Sequence, residues 1–150
     1  MTGTTAEGII IDRVFSAPPQ AVFTAWTTPG HFARWFGGNE VQIPLDGLDF
    51  IAEPGRTWTA QMVLPDGNTI NWTGDFIEVT PNERLVFTIT DRPAVPDRAK
   101  IVVELTAIAA GTRMRFTQET PGFTPEQQTA VLAGWQGFMD ELAKIATGDQ

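Results

Sequence analysis

The stretch TPEQQTAVLAGWQGFMDELAKI, residues 124–145, decides the reading of this chain, because every feature in it specifies one long amphipathic helix. Thr124 is an N-cap residue and Pro125 takes the first helical position, where a missing N–H costs nothing. Gln127 stands third, the spacing of a capping box, and Glu126 puts negative charge where the helix dipole favours it. Val131, Trp135, Phe138, Leu142 and Ile145 then follow at intervals of 4, 3, 4 and 3, and Leu132 and Met139 widen the stripe. A helix of about twenty residues is long enough to cross a whole sheet. Its broad apolar face requires one to lie on.

The residues before it supply that sheet. From Glu40 to Thr120 the pattern is strand and turn, with strands expected near 40–51, 56–64, 69–79, 84–91, 99–109 and 112–120. Pro65-Asp66-Gly67-Asn68, Thr80-Pro81-Asn82-Glu83 and Ala110-Gly111 are turn signals. Connections this short imply an antiparallel meander. The segment from Asp91 to Lys100, with Pro93 and Pro96, reads as the longest loop between strands.

Ahead of the meander, Gly8 to Ser16 is rich in β-branched and aromatic residues and reads as a first strand. Pro18-Pro19 ends it and opens a helix carrying Val22, Phe23 and Trp26. Thr28-Pro29 opens a second, with Phe32, Trp35 and Phe36 on one face, and Gly37-Gly38 closes it. The expected fold is α+β: a curved seven-stranded antiparallel sheet around the long C-terminal helix, with two short helices after strand 1. Residues 1–150 form a single domain with its core over about 8–146. A sheet curved around one helix leaves room near the two short helices, where a ligand would sit.

Composition narrows the partners. The formal charge of −8 opposes nucleic acid and anionic membrane surfaces, both of which select basic patches. With Cys 0, disulfides, thiolate nucleophiles and cysteine-based metal centres are excluded. The N-terminal residues lack the basic and apolar regions of a signal peptide, and no run approaches a membrane span, so a cytoplasmic location is expected. The aromatic set is lopsided, with 5 Trp, 10 Phe and no Tyr. A large aromatic interior follows, either solid or lining a cavity.

Segments in five places resemble one family. Arg13-Val14-Phe15-Ser16-Ala17-Pro18-Pro19 with Val22-Phe23-Thr24-Ala25-Trp26-Thr27 is similar to the opening of the bacterial proteins related to the C-terminal domain of the Hsp90 ATPase activator, in the START-like or SRPBCC superfamily. The likeness continues through Met62–Gly67, Gly74–Val86, Gly111–Met114 and Gly134-Trp135 with Phe138 and Leu142. It departs at Trp35-Phe36-Gly37-Gly38, where many members have a Trp-Trp pair followed by Pro. The resemblance implies a helix-grip fold over an internal cavity. Relatives bind lipids, hormones or polyketides, and some catalyse cyclisation or dehydration. A chaperone-related, stress-response role is the further implication of the family name.

Strand alternation nominates the residues that face the helix. Trp58, Ala60 and Met62 share a face, as do Trp72, Gly74 and Phe76, then Leu85, Phe87 and Ile89, then Met114, Phe116 and Gln118. The candidate ligand-binding set is Trp35, Phe36, Trp58, Met62, Trp72, Phe87, Met114, Gln118, Trp135, Phe138 and Met139. Gly74, Gly134 and Gly137 among these rings suit an incompletely filled interior. Gln118 is the one amide in the set and must meet either a protein donor or a ligand's polar group.

Catalytic groups are sparse. His31 is the only histidine and Ser16 the only serine, and they lie where an exposed helix turn and a strand end explain them. Asp46, Asp49 and Glu53 flank Gly47 and Pro54 as solvated turn residues would, so no metal site or cofactor is expected. Glu104 and Glu119 alternate outward, in phase with Arg113 and Arg115, and cross-strand Glu–Arg pairs are the expectation. Binding or carriage of a small apolar or aromatic molecule is the leading reading. A cyclase or dehydratase on the same scaffold and a protein-interaction role are the alternatives. Open sheet edges leave room for a homodimer.

Overall fold

Alternation of buried and exposed side chains builds the sheet. The computed structural model describes residues 2–96 and 98–148. Its strands are β1 (Gly3–Thr4), β2 (Gly8–Phe15), β3 (Thr57–Val63), β4 (Thr69–Thr80), β5 (Arg84–Ile89), β6 (Ala99–Ile108) and β7 (Gly111–Glu119). They form one seven-stranded sheet in the order β1-β2-β7-β6-β5-β4-β3, antiparallel throughout. In β3 the residues Trp58, Ala60 and Met62 are buried while Thr57, Thr59 and Gln61 are exposed. In β7 Met114, Phe116 and Gln118 are buried while Arg113 and Arg115 are exposed. A register shift between Phe76 and Glu78 marks a bulge in β4, the device that bends a strand.

The turns form where the residues permit them. Asn82 closes the β4–β5 hairpin with φ 67°, a left-handed conformation that asparagine tolerates. In the β3–β4 turn Gly67 has φ 89° and the Asp66 carboxylate accepts the Asn68 N–H. Residue 97 of the long 91–100 loop lies outside the described residues.

The sheet has the expected number of strands with one member exchanged. The stretch 40–51 is not a strand: it carries a 3-10 turn at Leu45–Gly47, and its backbone pairs with β3 through isolated bridges, Gln42 to Val63 and Asp49 to Thr59. Pro44 has no N–H to donate and Leu45-Asp46-Gly47 turns the chain away, so continuous pairing is impossible. The remaining strand is Gly3–Thr4, which pairs with Ile9 and Ile10 at the opposite edge.

Helices α1 (Pro19–Thr27), α2 (Pro29–Trp35) and α3 (Pro125–Ala146) fall where the sequence signals place them. Thr124 and Gln127 make both bonds of the capping box. Thr28 occupies the N-cap of α2 without a side-chain capping bond. Helix α3 packs against β1, β2 and the two short helices, and α1 against β6 and β7. The concave face is thus shared by three helices instead of covered by α3 alone.

Candidate functional site

The room expected near the short helices is filled by their own side chains. Trp26 of α1, fully buried, stands 4.8 Å from Trp35 of α2, 6.1 Å from Phe116 of β7 and 6.2 Å from Trp135 of α3. Phe32 stacks on Phe50 at 3.9 Å and on Phe36 at 4.6 Å. Trp58 and Phe87 join this continuous set of rings at 6.2 Å. Rings at these separations are in contact. Neither sequence position nor alternation foretold that Phe50, from the segment misread as a strand, would be buried against Phe32.

Of the candidate set, Trp35, Phe36, Trp58, Met62, Phe87, Met114, Trp135 and Met139 are buried, and so is the Gln118 side chain. Trp72 and Phe138 are only partly buried. These two meet at Phe36, the end of α2: Trp72 lies edge-on at 5.4 Å and Phe138 at 6.0 Å. Gly37 shapes this corner, because a Cβ there would stand 2.6 Å from both Met62 Cε and Val41 Cγ2. Trp72, Phe138, Phe36 and Met62 therefore form the outer end of the aromatic interior. Gln118 does not belong to it: β6 and β5 separate its strand from β4, about 14 Å across the sheet.

The three glycines differ from the reading of an unfilled interior. A Cβ on Gly74 would overlap the Thr88 carbonyl oxygen, because the Trp58 indole crosses β4 at that point and donates its N–H to Thr88 O at 3.0 Å. Gly137 is exposed. Gly134 borders the rings with space to spare. A Cβ at Gly134 would meet nothing within 4 Å except Phe138 Cζ, and one at Gly38 nothing except Phe138 Cδ1, each at 3.9 Å. The Phe138 ring thus has open space beside it on two sides.

Hydrogen bonding separates the indoles. Trp35 donates to Ala25 O at 2.8 Å and Trp58 to Thr88 O. The buried Nε1–H groups of Trp26 and Trp72 have no partner, and the buried Gln118 Oε1 has none either. Trp26 is enclosed by rings, whose faces are weak acceptors. Trp72 has Phe36 on one side and a partly open flank.

No charged side chain is among the buried polar residues described, which are Thr73, Thr112, Gln118 and Thr120. His31 is half-buried with its Nδ1 enclosed and unpartnered, less exposed than the sequence implied. Ser16, Asp46, Asp49 and Glu53 are exposed. The outward charges pair across strands, though with other partners than expected. Glu104 binds Arg84 at 2.8 Å, Arg115 binds Asp12 at 3.0 Å, and Glu119 accepts the Lys100 backbone N–H. Two open concavities lie away from the ring interior. One of about 220 Å³ is lined by Gly8, Ile10, Val102, Thr117 and Gln118, and one of about 250 Å³ by Phe15 and the end of α3. Among the described residues no helix is long and apolar enough to cross a membrane.

A sheet wrapped on a long C-terminal helix, with two short helices closing one end, is the helix-grip class. The chain belongs to the family of Activator of Hsp90 ATPase homolog 1-like proteins, whose model matches residues 16–147. Among solved structures it is similar to a protein from Chromobacterium violaceum, with a TM-score of 0.81 at 24% identity, covering 95% of this chain and 98% of that one. The solution structure of an AHSA1-like protein from Aeromonas hydrophila gives 0.76 at 26% identity, over 93% of this chain and 92% of that one. An AHSA1 protein from Silicibacter pomeroyi gives 0.78 at 20%, over 89% and 93%. No curated protein matches the chain.

Proposed function

We propose that the protein binds or carries a small apolar or aromatic molecule at the outer end of its ring interior, between Trp72, Phe36, Met62 and Phe138. The observation that carries this reading is the Phe138 ring, partly exposed and bordered by open space at Gly38 and Gly134. That ring lies over Phe36 and Trp135, at 6.0 and 5.3 Å. Apolar walls with few polar groups are the usual lining of a small-molecule site, and methionine adapts to varied shapes. The buried wall carries no acid or base to drive a reaction, which favours binding over a cyclase or dehydratase.

The test is native mass spectrometry followed by a thermal-shift screen of neutral aromatic compounds. A ligand at about 100 times its Kd adds ~2.7 kcal/mol to the folded state. The reading expects a co-purifying mass or a clear shift, lost in Gly134→Leu, whose side chain occupies the space beside Phe138. No shift across the panel would overturn it.

A protein-interaction role of the kind in the family's name is the second reading. Leu45 and Ile51, exposed on the stretch that lies along β3, and Ile77, exposed on the neighbouring β4, favour it. Ile77→Asp would then abolish stimulation of an Hsp90 ATPase without lowering the melting temperature. An unchanged stimulation, or none in the parent protein, would remove this reading.

A further inference from the structure

Resting on the binding reading above, we infer that the molecule taken at the Phe36–Trp72–Phe138 corner is neutral and carries one hydrogen-bond acceptor, which the Trp72 indole N–H binds. A buried N–H normally finds a partner, and leaving it unmet is costly. Trp72 Nε1 is buried and unpaired although its side chain is partly exposed on the concave face. Two of the other indoles show what the fold does when it supplies an acceptor: Trp35 reaches Ala25 O and Trp58 reaches Thr88 O. Trp26 shares the unmet N–H but is shut in by rings on several sides and is fully buried, so no ligand reaches it without dismantling the core. Of the two indoles with an enclosed, unmet N–H, Trp72 is the one whose side chain is partly exposed.

The same corner selects against charge. Its walls are Phe36, Met62, Trp72 and Phe138, flanked by Val41 and Ile70, and none of these bears a charge. A carboxylate placed there would exchange part of its hydration for apolar walls, inside a chain of formal net charge −8. A ketone, ester, amide or aza-aromatic nitrogen offers an acceptor at far smaller desolvation cost. The substrate class is therefore a neutral aromatic or alicyclic carbonyl or aza compound.

Three probes of one ring system separate the parts of this inference: 2-acetylnaphthalene, 2-ethylnaphthalene and 2-naphthoate, titrated by calorimetry into the protein and into Trp72→Phe. The ketone is expected to bind about 10-fold more tightly than the hydrocarbon, and the carboxylate most weakly. In Trp72→Phe, which keeps a ring beside Phe36, the ketone falls to the level of the hydrocarbon while the hydrocarbon is unchanged. A second readout uses the parent protein alone: the Trp72 indole N–H resonance moves downfield with the ketone and not with the hydrocarbon. Equal binding of ketone and hydrocarbon, or an unmoved indole resonance, overturns the acceptor assignment and leaves apolar binding standing. Tightest binding of the carboxylate overturns the neutral class. Failure of all three probes to bind overturns the inference together with the binding reading beneath it.

Discussion

At the scale of single residues, two positions show how little slack the interior has. Gly74 sits where the Trp58 indole passes over β4 to reach Thr88 O, and any side chain there strikes the backbone oxygen. Gly74→Ala is expected to cost about 3 kcal/mol, the upper end of the usual range for overpacking, read as a loss of folded protein or a large fall in the denaturation midpoint. Gln118 works in the other direction. Its Oε1 is buried without a partner, and an unmet buried acceptor costs about 1–3 kcal/mol. Gln118→Leu is expected to melt no lower than the parent, and higher if the new methyls pack. Ketone affinity should be unchanged, because Gln118 lies on β7 and Trp72 on β4. A loss of affinity would instead move the ligand's polar contact to β7.

At the scale of elements, α3 carries opposing terms that two substitutions separate. Thr124 accepts the Gln127 N–H at 3.1 Å, and the Gln127 amide oxygen accepts the Thr124 N–H at 2.8 Å. Thr124→Ala breaks the first of these, at a cost of about 1 kcal/mol. Gly137 is exposed within the same helix, and a Cβ there meets nothing within 4 Å. Gly137→Ala should therefore stabilise by about 0.5–1 kcal/mol, the helix propensity difference. Urea titrations of both variants and of the double variant check the sum; the sites are far enough apart for the effects to add. The same element was the most legible in the sequence. Its cap, its period and its limits are all local properties, and the structure reproduces each.

At the scale of the whole molecule, the sheet edges decide how the protein associates. One edge is the two-residue β1, and the other, β3, is shielded by the 41–50 segment through bridges at Gln42 and Asp49. An exposed strand edge is a template for a second chain, and a covered or very short one is not. A homodimer formed by pairing through β3 would first have to lift that segment and unpack Phe50 from Phe32. Sedimentation at micromolar concentration is expected to show a 16.4 kDa species. A species of twice that mass would place the contact elsewhere, on the outer face or the helices. The outer face is laced by exposed pairs such as Arg84–Glu104, each contributing only ~0–1 kcal/mol. Glu104→Gln should accordingly leave the melting midpoint almost unmoved.

The sequence by itself determined the three helices, the long helix's cap, the strands from Thr57 to Glu119, and which side of β3, β4, β5 and β7 turns inward. Those follow from period and turn chemistry, which are written in neighbouring residues. It did not determine what covers each face. Alternation reports that Trp58 or Trp72 is turned to the concave side, and not whether a helix, a loop or open space lies opposite. Only the tertiary structure decided that 40–51 shields an edge instead of extending the sheet. It likewise decided that rings from α1 and α2 occupy the room between sheet and α3, and that Trp58 finds a carbonyl while Trp72 does not. Each of those outcomes depends on groups brought together from distant parts of the chain, where side-chain volume and the reach of a single N–H select among arrangements that the local pattern leaves equal.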